Sequence, residues 1–150
     1  MTERSVAHGT FTVERTYPVS PARVFGAWSD PRKKALWFGD GSGQPQQVFE
    51  FKPGGREYSE GHHEGNTYTF DVRYADIVPD NRIVYTYQMS LNGQNISISV
   101  ATIEFQPKGK DTRMVITEQG VFLDGLDDNG QRRAGTEQLI EQLGTYLAKT

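Results

Sequence analysis

The spacing of hydrophobic and polar residues predicts which parts of the chain form strands and which form helices. Apolar and polar residues alternate over residues 10–16, which is typical of a strand. Ser20-Pro21 and Asp30-Pro31 each combine an N-capping side chain with a proline suited to the first helical position. Two short helices are therefore expected after the first strand, and the second is expected to end at residues 36–38.

Turn signals divide residues 46–122 into six further strands. The strongest of these signals are Pro53-Gly54-Gly55, Pro79-Asp80-Asn81 and Asn92-Gly93, which favour tight turns. The helical period returns after an acidic loop, and the apolar residues of a long C-terminal helix lie at Leu139, Ile140, Leu143, Tyr146 and Leu147.

The predicted architecture is a single α+β domain over residues 1–150. With only one long helix available to cover its apolar face, an antiparallel sheet of six to seven strands must curve around that helix. The ordered core is expected to cover about residues 10–148, because residues 1–8 are polar and are expected to be loose.

Composition excludes several classes of function. The chain has no cysteine, which rules out disulfides, thiolate zinc sites and a cysteine nucleophile and favours a reducing cytoplasm. Its net charge is −3 and the charges are evenly spread, so a nucleic acid is not an expected partner. No apolar run approaches the roughly 18 residues of a membrane span, and the first residues lack an apolar signal core. We therefore expect a cytoplasmic protein with no membrane partner.

The incomplete apolar stripe of the C-terminal helix predicts a cavity between this helix and the sheet. Gly135 and Thr136 lie one turn before the large residues of the same face, so the helix is thin there. A space lined by aromatic rings and a few polar groups is typical of a small-molecule pocket. The candidate ligand-binding residues are Trp37, Phe51, Tyr58, Phe70, Tyr74, Tyr85, Tyr87, Glu118, Gly135 and Thr136. The alternative is a sealed core, in which the glycine only permits close packing.

Glu118 is the candidate catalytic residue. It shares strand parity with Met114 and Ile116, so its side chain is expected to point inward, where a carboxylate is unfavourable unless it is paired or neutral. A functional role would explain such a position, and so would an ion pair with Arg132 or Arg133. A bulge in the strand would instead turn the side chain outward.

No metal and no cofactor are expected. His62 and His63 form the only histidine cluster, but adjacent residues on a strand point to opposite faces and do not easily share one metal ion. The glycine-rich residues 39–43 follow a helix and lead to a strand, which is not the arrangement of a phosphate-binding loop. They are expected to form a flexible loop at the cavity mouth, where they would serve as a lid.

An apolar patch is predicted on the outer face of the sheet. If Ser97 and Ser99 face the cavity, then Ile96, Ile98 and Val100 point outward and would suit a homodimer contact. A bulge near Val100 would cancel this interpretation.

A series of short motifs resembles a known family. They lie, in chain order, at residues 15–21, 24–31, 37, 51–55, 79–85, 112–114, 117–120 and 135–143. Together they resemble the family named for the activator of the heat-shock protein 90 ATPase, in the START-like or SRPBCC superfamily of birch-pollen-allergen-like proteins. The resemblance covers about residues 10–148 and implies a helix-grip fold with a cavity between sheet and helix. Many members carry tryptophan directly after the helix glycine, so Thr136 implies a wider cavity here.

Three functions are compatible with these observations. The expected one is binding of a small hydrophobic or aromatic ligand in the cavity, as a carrier or sensor without evident catalysis. The second is an enzyme that uses the same cavity, such as a polyketide cyclase, dehydratase or hydrolase, with Glu118 or a tyrosine as acid and base. The third is a co-chaperone-like interaction domain, as the family name suggests. The resemblance also implies a bacterial protein and a link to stress response.

Overall fold

The structure is a computed structural model, and it describes residues 3–39, 43 and 46–150. In these residues seven strands form one antiparallel sheet. The helices are α1 (Pro21–Ser29), α2 (Pro31–Lys34) and α3 (Asn129–Ala148). The strands are β1 (Val6–Tyr17), β2 (Val48–Phe49), β3 (Arg56–His63), β4 (Asn66–Val78), β5 (Arg82–Leu91), β6 (Gln94–Lys108) and β7 (Asp111–Leu123). Their order across the sheet is β1-β7-β6-β5-β4-β3-β2, so the first strand pairs with the last. The predicted α+β helix-grip fold is confirmed.

The two short helices begin where the capping residues predict. The Ser20 hydroxyl accepts a hydrogen bond from the backbone N–H three residues later, and the Asp30 carboxylate accepts one at 2.9 Å from the N–H two residues later. Helix α2 ends at Lys34, however, and not at residues 36–38. After Lys34 the backbone forms tighter turns, in which the N–H groups of Leu36 and Trp37 each bond the carbonyl three residues earlier. These turns bring Trp37 into the core.

Strand β1 begins at Val6, so the expectation that residues up to position 8 are loose was wrong from that residue on. Val6 pairs with Leu123 and Gly9 pairs with Gly120 of β7. The Ser5 N–H also donates to an Asp124 carboxylate oxygen at 3.0 Å. Pairing with a strand more than a hundred residues away orders this segment, and the local sequence pattern does not reveal such pairing.

One face of α3 packs against the inner face of the sheet. Its buried residues are Thr136, Ile140, Leu143 and Leu147. The Tyr17 hydroxyl donates to the Ile140 carbonyl at 2.8 Å and so ties β1 to this helix. Leu139 and Tyr146 of the predicted stripe are only half-buried. None of the helices in the described residues combines the length and the apolar character that crossing a membrane requires.

The apolar patch on the outer face of the sheet is smaller than predicted. The register between β5 and β6 shifts after the pair of Met89 with Ser97, and this irregularity skips Ile96. The bulge thus lies at Ile96 and not near Val100. It turns the Ile96 side chain away from the outer face, and this residue is buried. Ile98 and Val100 remain 37% and 38% exposed. A homodimer through this patch stays a prediction.

Candidate functional site

A cavity of about 960 Å³ lies between α3 and the inner face of the sheet, and we call it the central cavity. Residues of α1, α3 and the strands β3, β4, β5 and β7 line it. Its Phe, Tyr and Trp lining consists of Trp28, Phe38, Tyr68, Phe70, Tyr85 and Tyr87. The predicted space between helix and sheet is therefore present.

The cavity exists because α3 carries small side chains where it passes over this part of the sheet. Among the described residues, a Cβ atom added at Gly135 would meet only the Arg132 Nη2 atom, at 3.9 Å. Thr136 is short, and Ile140, one turn later, is the next large buried residue of the helix. Gly135 and Thr136 thus lie where the sequence pattern predicts, and their contact with a ligand stays a prediction.

Three aromatic side chains of the sheet and one from the segment after α2 form a continuous wall. The ring centroids of Phe38 and Phe70 are 5.3 Å apart, and those of Phe70 and Tyr87 are 5.1 Å apart. Tyr85 extends the wall at 5.9 Å from Tyr87. Burial raises the pKa of both tyrosine hydroxyls, so these groups stay protonated at neutral pH and are available as hydrogen-bond donors.

Glu118 brings a carboxyl group into the central cavity, as its strand parity predicts. The residue is 5% exposed and lies on β7, opposite Ala101 of β6. The Tyr87 hydroxyl donates to its Oε1 atom at 2.5 Å, and the Thr136 hydroxyl donates to its Oε2 atom at 3.3 Å. Burial raises the pKa of Glu118, while these two hydrogen bonds and the charge of Arg132 act in the opposite direction.

The arginines that offered an alternative explanation for Glu118 are paired elsewhere. The Arg132 Nε atom lies 3.0 Å from the Asp127 Oδ2 atom, and the Arg133 Nε atom lies 3.5 Å from Glu137 Oε1. Among the described residues, Glu118 therefore has hydroxyl partners and no ion-pair partner. Arg132 itself lines the central cavity, a position that sequence reasoning missed because it considered this residue only as a counter-charge.

Trp37, Phe51 and Tyr74 do not line the central cavity, so their predicted placement was wrong. The Trp37 indole N–H donates to the Ala27 carbonyl at 3.0 Å, which fixes the ring in the core beside α1. The rings of Phe51 and Tyr74 pack edge to face, with centroids 5.0 Å apart. These three side chains fill the core next to the cavity.

Tyr58 points away from the central cavity, and its predicted placement was also wrong. Its neighbours on β3, Glu57 and Ser59, face inward, so the alternation of the strand turns Tyr58 to the outer face. There the Arg56 guanidinium lies 4.8 Å from its ring centroid. Of the ten candidate ligand-binding residues, six line the central cavity: Phe70, Tyr85, Tyr87, Glu118, Gly135 and Thr136.

A buried ion pair beside the aromatic wall was not predicted. The Lys34 Nζ atom lies 2.7 Å from the Glu57 Oε1 atom, which also accepts a hydrogen bond from the Tyr74 hydroxyl at 2.5 Å. The ammonium also lies 4.4 Å from the ring centroid of Phe38. Burial lowers the pKa of Lys34, and the negative charge of Glu57 opposes this shift. The parity of β3 indicates that Glu57 faces inward, but no sequence signal identifies Lys34 as its partner.

The rim of the central cavity includes both histidines of the predicted cluster. The His62 Nδ1 atom lies 3.2 Å from the Thr67 hydroxyl, and the His63 Nε2 atom lies 3.8 Å from a Glu64 carboxylate oxygen. No group of three or more metal-ligating side chains occurs in the residues that the structure describes. The predicted lid at 39–43 falls largely outside the described residues, since positions 40–42 are not among them.

A helix-grip sheet that encloses a cavity against its C-terminal helix defines a domain of the SRPBCC type. The family model described as "Activator of Hsp90 ATPase homolog 1-like protein" matches residues 18–148, so the chain belongs to this family. The resemblance drawn from the sequence motifs is thereby confirmed. No curated protein matches the chain.

Two solved structures from rhizobia are similar over nearly the whole chain. A protein of Rhizobium leguminosarum shares 40% identity over 99% of this chain and 100% of its own, with a TM-score of 0.92. The protein Mll3558 of Rhizobium loti shares 44% identity over 95% of this chain and 99% of its own, with a TM-score of 0.88. DynU16, a protein of the dynemicin biosynthetic locus, shares 20% identity over 93% of this chain and 47% of its own, with a TM-score of 0.67. This last likeness shows the fold alone.

Proposed function

We propose that the protein binds a small aromatic or largely apolar molecule in the central cavity. The observation that supports this proposal is the aromatic wall beside the buried carboxyl group of Glu118 in a space of about 960 Å³. This volume lies at the upper end of the roughly 300–1,000 Å³ of small-molecule sites. The aromatic wall favours a flat, largely apolar ligand, and the polar side chains that also line the cavity, such as Glu118, Thr136 and Arg132, can hydrogen-bond its polar atoms.

The polar groups argue against a cavity that is only a packing defect. Glu118 is 5% exposed, and its pairing with two hydroxyl groups does not compensate a charge as a cation would. Burying such a group is unfavourable, and groups of this kind are enriched at functional sites. A core selected for stability alone would be expected to carry an apolar residue at this position.

Thr136→Trp tests the proposal by filling the space beneath α3. An environment-sensitive apolar dye should bind the parent protein saturably and bind this variant at least about tenfold more weakly, a loss of about 1.4 kcal/mol. Gln138→Trp is the matched control, since it adds the same side chain at an exposed position of the same helix. Equal dye binding by the folded parent and by folded Thr136→Trp would place the binding site elsewhere.

A second candidate function is acid–base catalysis in the same cavity. Its support is the position of Glu118 at the cavity wall, where burial raises its pKa and the Tyr87 hydroxyl touches it. Native mass spectrometry would identify a ligand that co-purifies with the protein. Incubating the protein with this ligand, followed by mass analysis of the products, would show whether the protein converts it. Glu118→Gln should then retain binding and lose turnover, because shape is kept but proton transfer is not. Turnover with an unchanged pH profile would remove Glu118 from the mechanism.

A further inference from the structure

The side chain of Arg132 brings hydrogen-bond donors to the central cavity that the protein itself uses poorly. Its Nε atom lies 3.0 Å from Asp127 Oδ2, but the two groups are not aligned for a hydrogen bond, and neither atom has another partner among the described residues. Its Nη1 atom donates to the Met89 thioether, a weak acceptor. A Cβ atom at position 135 would lie 3.9 Å from the Arg132 Nη2 atom, and because this residue is glycine no side chain there covers the donor.

The charge of Arg132, in contrast, is already balanced. The Asp127 side chain is only 3% exposed and lies against the guanidinium, whose own side chain is 24% exposed. A buried aspartate without this arginine would be strongly unfavourable, so the two charges hold each other in place. The guanidinium still lacks a good hydrogen-bond acceptor. Hydrogen-bond donors that stay unsatisfied at a partly buried position destabilise a protein, so an acceptor from a ligand would be favourable here.

The groups around Arg132 restrict the kind of acceptor. Thr136 follows one turn later on the same face of α3, and its hydroxyl contacts Glu118, so a ligand at Arg132 lies near that carboxyl group. A ligand carboxylate would therefore be repelled by the Glu118 carboxylate and would compete with Asp127 for the same guanidinium. A neutral oxygen avoids this repulsion and still accepts a strong hydrogen bond from the guanidinium.

We propose that the central cavity selects aromatic molecules that carry a neutral carbonyl oxygen, and that Arg132 donates a hydrogen bond to this oxygen. The inference rests on the proposed ligand binding and adds the chemical class of the ligand and the residue that determines specificity. The ring packs on the wall of Phe70 and Tyr87, while the carbonyl group displaces the weak contact between Arg132 and Met89.

Three naphthalene derivatives that differ in one substituent test this specificity. Displacement of an apolar dye gives the affinities of 2-acetylnaphthalene, 2-ethylnaphthalene and 2-naphthoate. In the parent, the ketone should bind at least about fivefold more tightly than the ethyl compound, as expected for a hydrogen bond to a charged group. It should also bind more tightly than the carboxylate. Tighter binding of 2-naphthoate than of the ketone would overturn the proposal.

Arg132→Met shows whether the preference comes from the guanidinium. Methionine keeps an unbranched stem, so the ethyl compound should bind as before and the ratio of ketone to ethyl affinity should fall at least about fivefold. Arg133→Met is the control, because Arg133 pairs with Glu137 at an exposed position and should leave the ratio unchanged. An unchanged ratio in Arg132→Met would overturn the proposal.

Two safeguards keep the experiment decisive. If the unpaired Asp127 prevents Arg132→Met from folding, the double variant Arg132→Met/Asp127→Asn removes the aspartate charge. This double variant is then compared with the parent in place of Arg132→Met. If none of the naphthalenes displaces the dye from the parent, the proposed ligand binding itself fails. If all three displace it with equal affinity, ligand binding stands and only the role of Arg132 is refuted.

Discussion

Replacing Lys34 by methionine should destabilise the fold by about 3–5 kcal/mol, because it leaves a buried carboxylate without its cation. The Lys34 Nζ and Glu57 Oε1 atoms are 2.7 Å apart, and their side chains are 2% and 0% exposed. After the change only the Tyr74 hydroxyl remains to hydrogen-bond Glu57, whose Oε2 atom has no partner among the described residues. Methionine approximates the lysine stem, so little of the loss should come from packing.

Urea unfolding followed by far-ultraviolet circular dichroism measures this loss. The double variant Lys34→Met/Glu57→Gln removes the stranded charge and should be at least about 1 kcal/mol more stable than Lys34→Met. Lys33→Met is the matched control, since Lys33 is exposed on the same helix and its replacement should change stability by less than about 0.5 kcal/mol. A loss below about 1 kcal/mol in Lys34→Met, or a double variant less stable than Lys34→Met, would refute the reasoning.

Two further changes test the core and the site carboxyl group. Leu143→Ala should lower the free energy of unfolding by about 2–5 kcal/mol in urea melts, because Leu143 is fully buried between α3 and the sheet. A loss below about 1 kcal/mol would show that α3 does not pack as described. Burial raises the pKa of Glu118 above its usual 4.5, so its protonated form favours folding at low pH and this contribution is lost as the pH rises through the folded-state pKa. The stability of the parent relative to Glu118→Gln should therefore fall as the pH rises from about 4.5 through the raised folded-state pKa of Glu118, and parallel pH curves for the two proteins would contradict the burial of this group.

The order of the strands and the starts of the two short helices were predictable because turn and capping residues act locally. The Asn92-Gly93 turn and the caps Ser20 and Asp30 act within a few residues of themselves. The start of β1 and the bulge at Ile96 depend on pairing with distant strands, which no local pattern contains. The sequence therefore predicts the order of elements better than their ends.

The candidate site was predictable only where strand parity or helix spacing decides which way a side chain points. Parity placed Glu118 inward, and spacing placed Gly135 and Thr136 at the cavity. Aromatic residue type does not distinguish a cavity wall from a filled core, which is why Trp37 and Tyr74 were misplaced.

The buried cation was missed for a different reason. Lysine is rarely fully buried, and nothing in a short polar helix indicates that Lys34 meets Glu57. Only the packing of α2 against β3 brings the two side chains together.

Nuclear magnetic resonance titration of the labelled protein with 2-ethylnaphthalene tests the central cavity most directly. We expect saturable shifts of the backbone amides of Tyr87, Glu118 and Thr136, which lie on two strands and a helix and line this space together. The outer-face residues Ile98 and Val100 serve as the internal comparison. Shifts that saturate at the cavity residues would support ligand binding there, whereas shifts confined to the outer face, or no saturable shift at all, would contradict it.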